Sequence, residues 1–144
     1  MPAVSNPDAG DRSHEYRPTT PVEVVHAFLR ALETGDFATG LGYLAADCEY
    51  TNPAPFGTVY GPEAARAVLE PMFAPVLENE LISRREAVNG AVVIIERLDR
   101  HRFPNGWVEL PMTGVFEVHG GKITVWRDYF DVATFQGAIA AVTG

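Results

Sequence analysis

A single cysteine, Cys48, stands in a chain of 144 residues, which excludes an internal disulfide and a cysteine-based metal cluster. That usage fits a reducing compartment, so a cytoplasmic protein is expected, with Cys48 filling core space. No apolar run approaches the roughly 20 residues of a membrane span, and the N-terminus has neither the basic nor the apolar stretch of a secretory leader. Basic residues are scarce, 11 against 19 acidic, for a net charge of −8. Nucleic acid and anionic membrane both need a basic footprint, so neither is expected as a partner. Also lacking are a phosphate loop, a dinucleotide fingerprint, and any serine, cysteine or lysine nucleophile with an adjacent base. His14, His26, His101 and His119 show no ligand spacing, so no metal and no cofactor is expected.

What is present is 47% apolar content, enough for one domain with a real core. Residues 1–17 are polar, without periodicity, and read as a flexible arm before a single domain over 18–144. Thr20-Pro21-Val22-Glu23 is a capping box with proline at the first helical position, and Val24, Val25, Phe28, Leu29 and Leu32 follow at helical spacing. That predicts a helix over 21–33. Gly35-Asp36 ends it and caps a second short helix carrying Phe37, Leu41 and Leu44. A strand is predicted over 47–52, then a Pro-rich loop to Gly61, then a third helix from Pro62 to about Phe73. Strands follow near 82–87, 91–102, 108–118 and 122–130, separated by glycine-bearing turns that predict an antiparallel meander. Asp131 caps a C-terminal helix whose apolar side holds Phe135, Ile139 and Val142. Helices first and a meander second imply an α+β fold, with helices packed on one face of a curved sheet that encloses a pocket.

Charge enters this apolar pattern at two places. Along 91–101 the period-2 rule puts Val93, Ile95, Arg97, Asp99 and His101 on one face, and Val92, Ile94, Glu96, Leu98 and Arg100 on the other. An unpaired charge on a buried face costs on the order of the whole stability margin of a small domain, so Arg97 needs acids. Asp99 is two residues on and same-sided. Asp128, on the last strand, shares a face with Trp126 and Phe130. One guanidinium can bridge two carboxylates. Two carboxylates on one arginine in a dry pocket can share a proton and divide the work of acid and base, Asp128 as ionised base and Asp99 as acid. Tyr50 and Asn52, same-sided on the first strand, offer a hydroxyl and an amide to aim a water. Leu110, Met112, Phe116, Trp126, Leu69, Phe73 and Phe135 are the expected apolar, substrate-binding walls.

These residues carry a family resemblance. Tyr50-x-Asn52, Glu96-Arg97-x-Asp99, and the run from Gly121-Lys122-Ile123 through Trp126-Arg127-Asp128-Tyr129-Phe130-Asp131 resemble the limonene-1,2-epoxide hydrolase family. The resemblance spans about 20–141 and includes Tyr60-Gly61 and Gly114-Val115-Phe116. It implies a cone-shaped, nuclear transport factor 2-like α+β fold, a curved, mostly antiparallel mixed sheet with helices packed on its concave face, usually dimeric, that opens epoxides to diols in one step without a covalent intermediate. It implies that Asp128 deprotonates water with help from Tyr50 and Asn52, that Asp99 protonates the epoxide oxygen, and that Arg97 links the two acids. The implied partners are a small, mostly apolar epoxide, water, and a second copy of the chain. His101 departs from the pattern, since an apolar pocket-side residue is expected there; Pro111 is unusual inside a strand. Both bear on the shape of the pocket.

Taken alone, Arg97 and Asp99 would read as a structural ion pair, and His101 as a strand-end or rim residue. Arg127 and Tyr129 would face solvent or a dimer partner, and Glu96 would pair with Arg100 or a second subunit. Two other functions use the same fold: proton transfer, as in ketosteroid isomerases and polyketide cyclases, and noncatalytic binding. A guanidinium tied between two acids weighs against the first, which wants a neutral donor at the oxyanion.

Overall fold

A computed structural model describes residues 17–143. The expected arm, apart from Arg17, and His14 with it, lie outside the described residues. Helix α1 (Pro21–Glu33) starts where the capping box predicts: Thr20 Oγ1 accepts from the Glu23 amide at 3.3 Å and donates to Glu23 Oε1 at 2.7 Å. It buries Val24, Val25, Phe28, Leu29, Ala31 and Leu32. Gly35, at φ +78°, closes the helix by a turn that few other residues adopt, and Asp36 then caps α2 (Phe37–Leu41) by accepting from the Thr39 amide.

The second helix stops at Leu41, before the expected Leu44. Leu44 instead opens strand β1 (Leu44–Asn52), pairing in parallel with Ile123 of the last strand, and the Ile123 amide donates to the Tyr43 carbonyl. A short apolar run reads equally as helix or strand, and here long-range pairing decides. The Pro-rich loop holds a further strand, β2 (Gly57–Tyr60), antiparallel to β1, with the Thr51 and Thr58 hydroxyls 2.8 Å apart. Its turn residues hid four strand residues among prolines and glycine.

Helix α3 (Pro62–Phe73) leads into β3 (Glu78–Asn89), β4 (Val92–Phe103), β5 (Gly106–His119), β6 (Lys122–Tyr129) and α4 (Val132–Thr143). The sheet order is β2-β1-β6-β5-β4-β3, with β1 parallel to β6 and every other pair antiparallel. β3 begins earlier than expected because its first turns are held by charge: Glu78 pairs with Arg102 at 3.1 Å and Glu80 with Arg100 at 2.7 Å. A polar edge strand gives no hydrophobic alternation to read.

The faces of β4 fall as predicted: Val93, Ile95, Arg97 and Asp99 are buried, and Ile94 and Glu96 are exposed. Helix α1 packs on the inner face, its Phe28 making edge contact with Trp126 and Phe116. On the outer face Glu96 pairs with Arg85, and Arg100 with Glu80 and Glu109, in place of the expected Glu96–Arg100 pair. Pro111 is exposed on the outer face, so its ring leaves the inner face untouched.

Candidate active site

Strands β4, β5, β6 and β1 carry a polar cluster on the inner face, in that spatial order with β1 beyond β6. Arg97 Nε donates to Asp99 Oδ1 at 2.7 Å and Nη2 to Asp99 Oδ2 at 3.2 Å, a two-bonded pair along one strand. The same Nη2 reaches Asp128 Oδ1 at 3.3 Å on β6 and also contacts Met112 Sδ. Arg97, Asp99 and Asp128 are only 4%, 4% and 5% exposed. Trp126 Nε1 donates to Asp128 Oδ1 at 3.1 Å, and the Tyr50 ring stacks on Trp126 with centroids 3.7 Å apart.

The bridge from Arg97 to Asp128 crosses a whole strand, since β5 lies between β4 and β6. Two strand spacings are roughly 10 Å, within the reach of an arginine only if nothing stands on β5 beneath it. Gly114, paired with Ile95 on one side and Asp128 on the other, leaves that clearance. A Cβ there would sit 2.5 Å from Arg97 Nη1 and 2.8 Å from Phe116 Cε2. Nη1 itself is buried and has no hydrogen-bond partner among the described residues.

Burial works against the Arg97 charge, but Asp128 and Asp99 outweigh it and hold the guanidinium more firmly protonated than in water. Burial pushes the Asp128 carboxyl above the ordinary range; the Arg97 charge opposes this and Asp99 adds to it, and the net direction is up. The Tyr50 phenol is pushed up, first by burial and then by the Asp128 charge, so it remains a neutral hydroxyl. Cys48 is buried, its thiol pushed up to about 12 by burial and by Asp47 and Glu49, as suits core filling.

Tyr50, Asn52, Asp99 and Asp128 all line one cavity of about 380 Å³, walled by Leu69, Leu110, Met112, Trp126, Phe130 and Phe135. Arg97 lies behind the acids. Phe116 and Phe73, expected as walls, are elsewhere. Phe116 is fully buried behind Trp126, ring centroids 6.5 Å apart, because its neighbour on β6 occupies the surface above it. Phe73 packs between Phe37 and the His101 ring. Sequence reasoning missed Phe56, Val68, Pro71 and Met72 as lining residues. The α3 residues flank Leu69 on a helix face wider than the period suggests, whereas Phe56 sits in a turn without periodicity. It joins the wall through Phe130 and Phe135, at 6.3 and 6.2 Å. His101 also lines the cavity.

A more open depression of about 670 Å³ between α1, α2 and β3 touches Arg97 alone of this set. Its rim is largely charged and exposed, including His26, Arg30 and Asp36, so the enclosed apolar cavity over the acids is the better reaction site. Among the described residues no cluster of His, Cys, Asp or Glu is arranged to hold a metal ion, and no helix is long and apolar enough to cross a membrane.

A sequence profile of the limonene-1,2-epoxide hydrolase catalytic domain matches residues 19–140. The chain is 39% identical over 108 residues to epoxide hydrolase EphG of Mycobacterium tuberculosis, covering 75% of this chain and 71% of that protein. It is similar in structure to an LEH-like epoxide hydrolase of M. tuberculosis, with TM-score 0.72 and 34% identity over 85% of this chain and 90% of that one. An NTF2-like protein of unknown function from Burkholderia pseudomallei has TM-score 0.75 over 88% of this chain and 99% of that one; at 21% identity this likeness concerns the fold.

Proposed function

The chain belongs to the limonene-1,2-epoxide hydrolase family, and from that premise we propose that it opens a small, mostly apolar, cyclic and terpenoid-like epoxide to a vicinal diol by direct attack of water. Asp128 takes a proton from a water aimed by the Tyr50 hydroxyl and the Asn52 amide. The water oxygen forms its bond to an epoxide carbon as the carbon–oxygen bond of the ring breaks, and Asp99 delivers a proton to the departing oxygen. Arg97 holds both acids. Return of the proton from Asp128 to Asp99 resets the site.

The observation that carries this reading is the single guanidinium bonded to both carboxylates at the base of an apolar cavity. Burial favours the proton on Asp128; hydrogen bonds donated to Asp128 by Arg97, Trp126 and the attacking water favour its ionised form. The reaction runs from the state with the proton on Asp99. The test is diol formation from limonene 1,2-epoxide and cyclohexene oxide in ¹⁸O-water under single-turnover conditions, wild type beside Asp128→Asn. Label in the diol on the first turnover, lost in the variant, is the expected result. An unlabelled first diol would mean that the oxygen came from the protein and would overturn direct attack.

The protein is further proposed to form a homodimer through the outer face of the sheet, where Ile82, Ile94 and Tyr129 are 41%, 39% and 54% exposed.

A further inference from the structure

His101 is a polar residue in an otherwise apolar part of the cavity wall, and its surroundings specify what it does. It stands on the inner face of β4 two residues beyond Asp99, and both side chains line the cavity. Its Nδ1 lies 2.7 Å from Asn79 Oδ1, on the residue paired with it across β3. A side-chain amide oxygen only accepts, so Nδ1 carries the proton and, in the neutral ring, Nε2 carries the lone pair. Phe73 packs edge-on against the ring with centroids 5.4 Å apart, fixing its plane. Burial lowers the pKa of the ring, with Asp99 pulling it up and Arg97 pushing it down, so the acceptor form prevails at neutral pH. Nε2 has no partner among the described residues.

We propose that His101 is a specificity residue, whose Nε2 accepts a hydrogen bond from a hydroxyl of the substrate. The natural epoxide is then a hydroxylated ring or terpenoid epoxide rather than a pure hydrocarbon one. This rests on the epoxide hydrolase reading and names the substrate class of the same site. Asp99 marks the epoxide oxygen, and His101 stands two residues further along the same strand face, so the hydroxyl sits on the far side of the ring from the epoxide oxygen. An acceptor left without a partner penalises a hydrocarbon at that spot, because the ring nitrogen loses water without gaining a hydrogen bond.

The experiment compares three ring epoxides: 3,4-epoxycyclohexan-1-ol, its near-isostere 1,2-epoxy-4-methylcyclohexane, and 1,2-epoxy-4-methoxycyclohexane, which accepts but cannot donate. Wild type is expected to prefer the alcohol over the methyl epoxide in kcat/KM by about 10-fold or more, mainly through KM, and to treat the methoxy ether like the methyl epoxide. In His101→Phe the ratio of alcohol to methyl epoxide falls to near one. Asn79→Leu, which frees the ring to turn and to change tautomer from outside the cavity, lowers the same ratio and keeps the proposal falsifiable should His101→Phe not fold. Equal use of alcohol and methyl epoxide by wild type, or a preference that survives both substitutions, would overturn the role of His101. Preference for the methoxy ether would overturn the tautomer. If none of the three is turned over, the hydrolase reading fails separately, and calorimetric binding of the alcohol and the methyl epoxide to wild type and His101→Phe decides the hydroxyl contact by the same ratio.

Discussion

Asp128 meets two opposed demands, and the conflict is measurable. Its folded-state pKa is raised by burial, so the native state binds its proton more tightly than the unfolded chain, and stability falls as pH rises from the ordinary carboxylate value of about 3.9 through the raised one. Asp128→Asn removes that penalty. The variant is expected to melt above wild type at pH 7, with the advantage closing towards pH 4, while kcat drops on the order of 10²–10⁴-fold; calorimetry across that range checks the first and single-turnover kinetics the second. Gly114 acts one step further away, as a positioning residue. Its backbone is not in the left-handed region, so Gly114→Ala brings no backbone strain, but the new methyl displaces the Arg97 guanidinium and presses on the Phe116 ring. A shift of about 1 Å is expected to lower kcat on the order of 10²-fold with KM little changed. With Arg97 drawn away, Asp128 loses its main opposing charge and is left to burial, Asp99 and Trp126. The acidic limb of the pH–rate profile therefore moves to higher pH, which a merely looser fold would not produce. Arg97, Asp99 and Asp128 were legible because a charge on an apolar strand face demands partners. Gly114 was visible only as part of a motif, since an empty position has meaning only once something is known to pass over it.

Among the elements, α1 was readable end to end, because its cap, its period and its closing glycine are all local. β3 was not, because an edge strand held by the pairs Glu78–Arg102 and Glu80–Arg100 has no buried face to alternate. Helix α4 is the least anchored element that serves the site: it has no fully buried residue, yet Phe135 walls the cavity. Its start is held by Asp131, which accepts from the Thr134 amide at 3.0 Å, and the side-chain and backbone hydrogen bonds from Thr134 hold its pKa low. Asp131→Ala is therefore expected to speed amide hydrogen exchange across 132–143 and to raise KM more than it lowers kcat. Unchanged exchange in α4 would show that packing, not the cap, holds the helix.

On the scale of the whole molecule, the sheet has one face covered by helices and the other left with exposed apolar residues. Ile94→Arg places a charge in the middle of that outer face. Sedimentation is expected to show wild type as a dimer and the variant as a monomer that still forms diol, because the cavity opens on the opposite side; a monomeric wild type at micromolar concentration would remove the proposed interface. The chain by itself determined the α+β class, the start of α1, the two faces of β4 and the placing of Arg97, Asp99, Asp128, Tyr50 and Asn52 on the side of the sheet that bears the cavity. These follow from short-range geometry, since the backbone repeats every two or 3.6 residues and burial marks the repeat. Only the tertiary structure decided that β1 runs parallel beside β6, that Arg97 reaches Asp128 over Gly114, that Trp126 hides Phe116 from the cavity, and that His101 is held by Asn79 at the cavity wall. Those depend on strand order and side-chain reach between residues distant in sequence, and no local period encodes them.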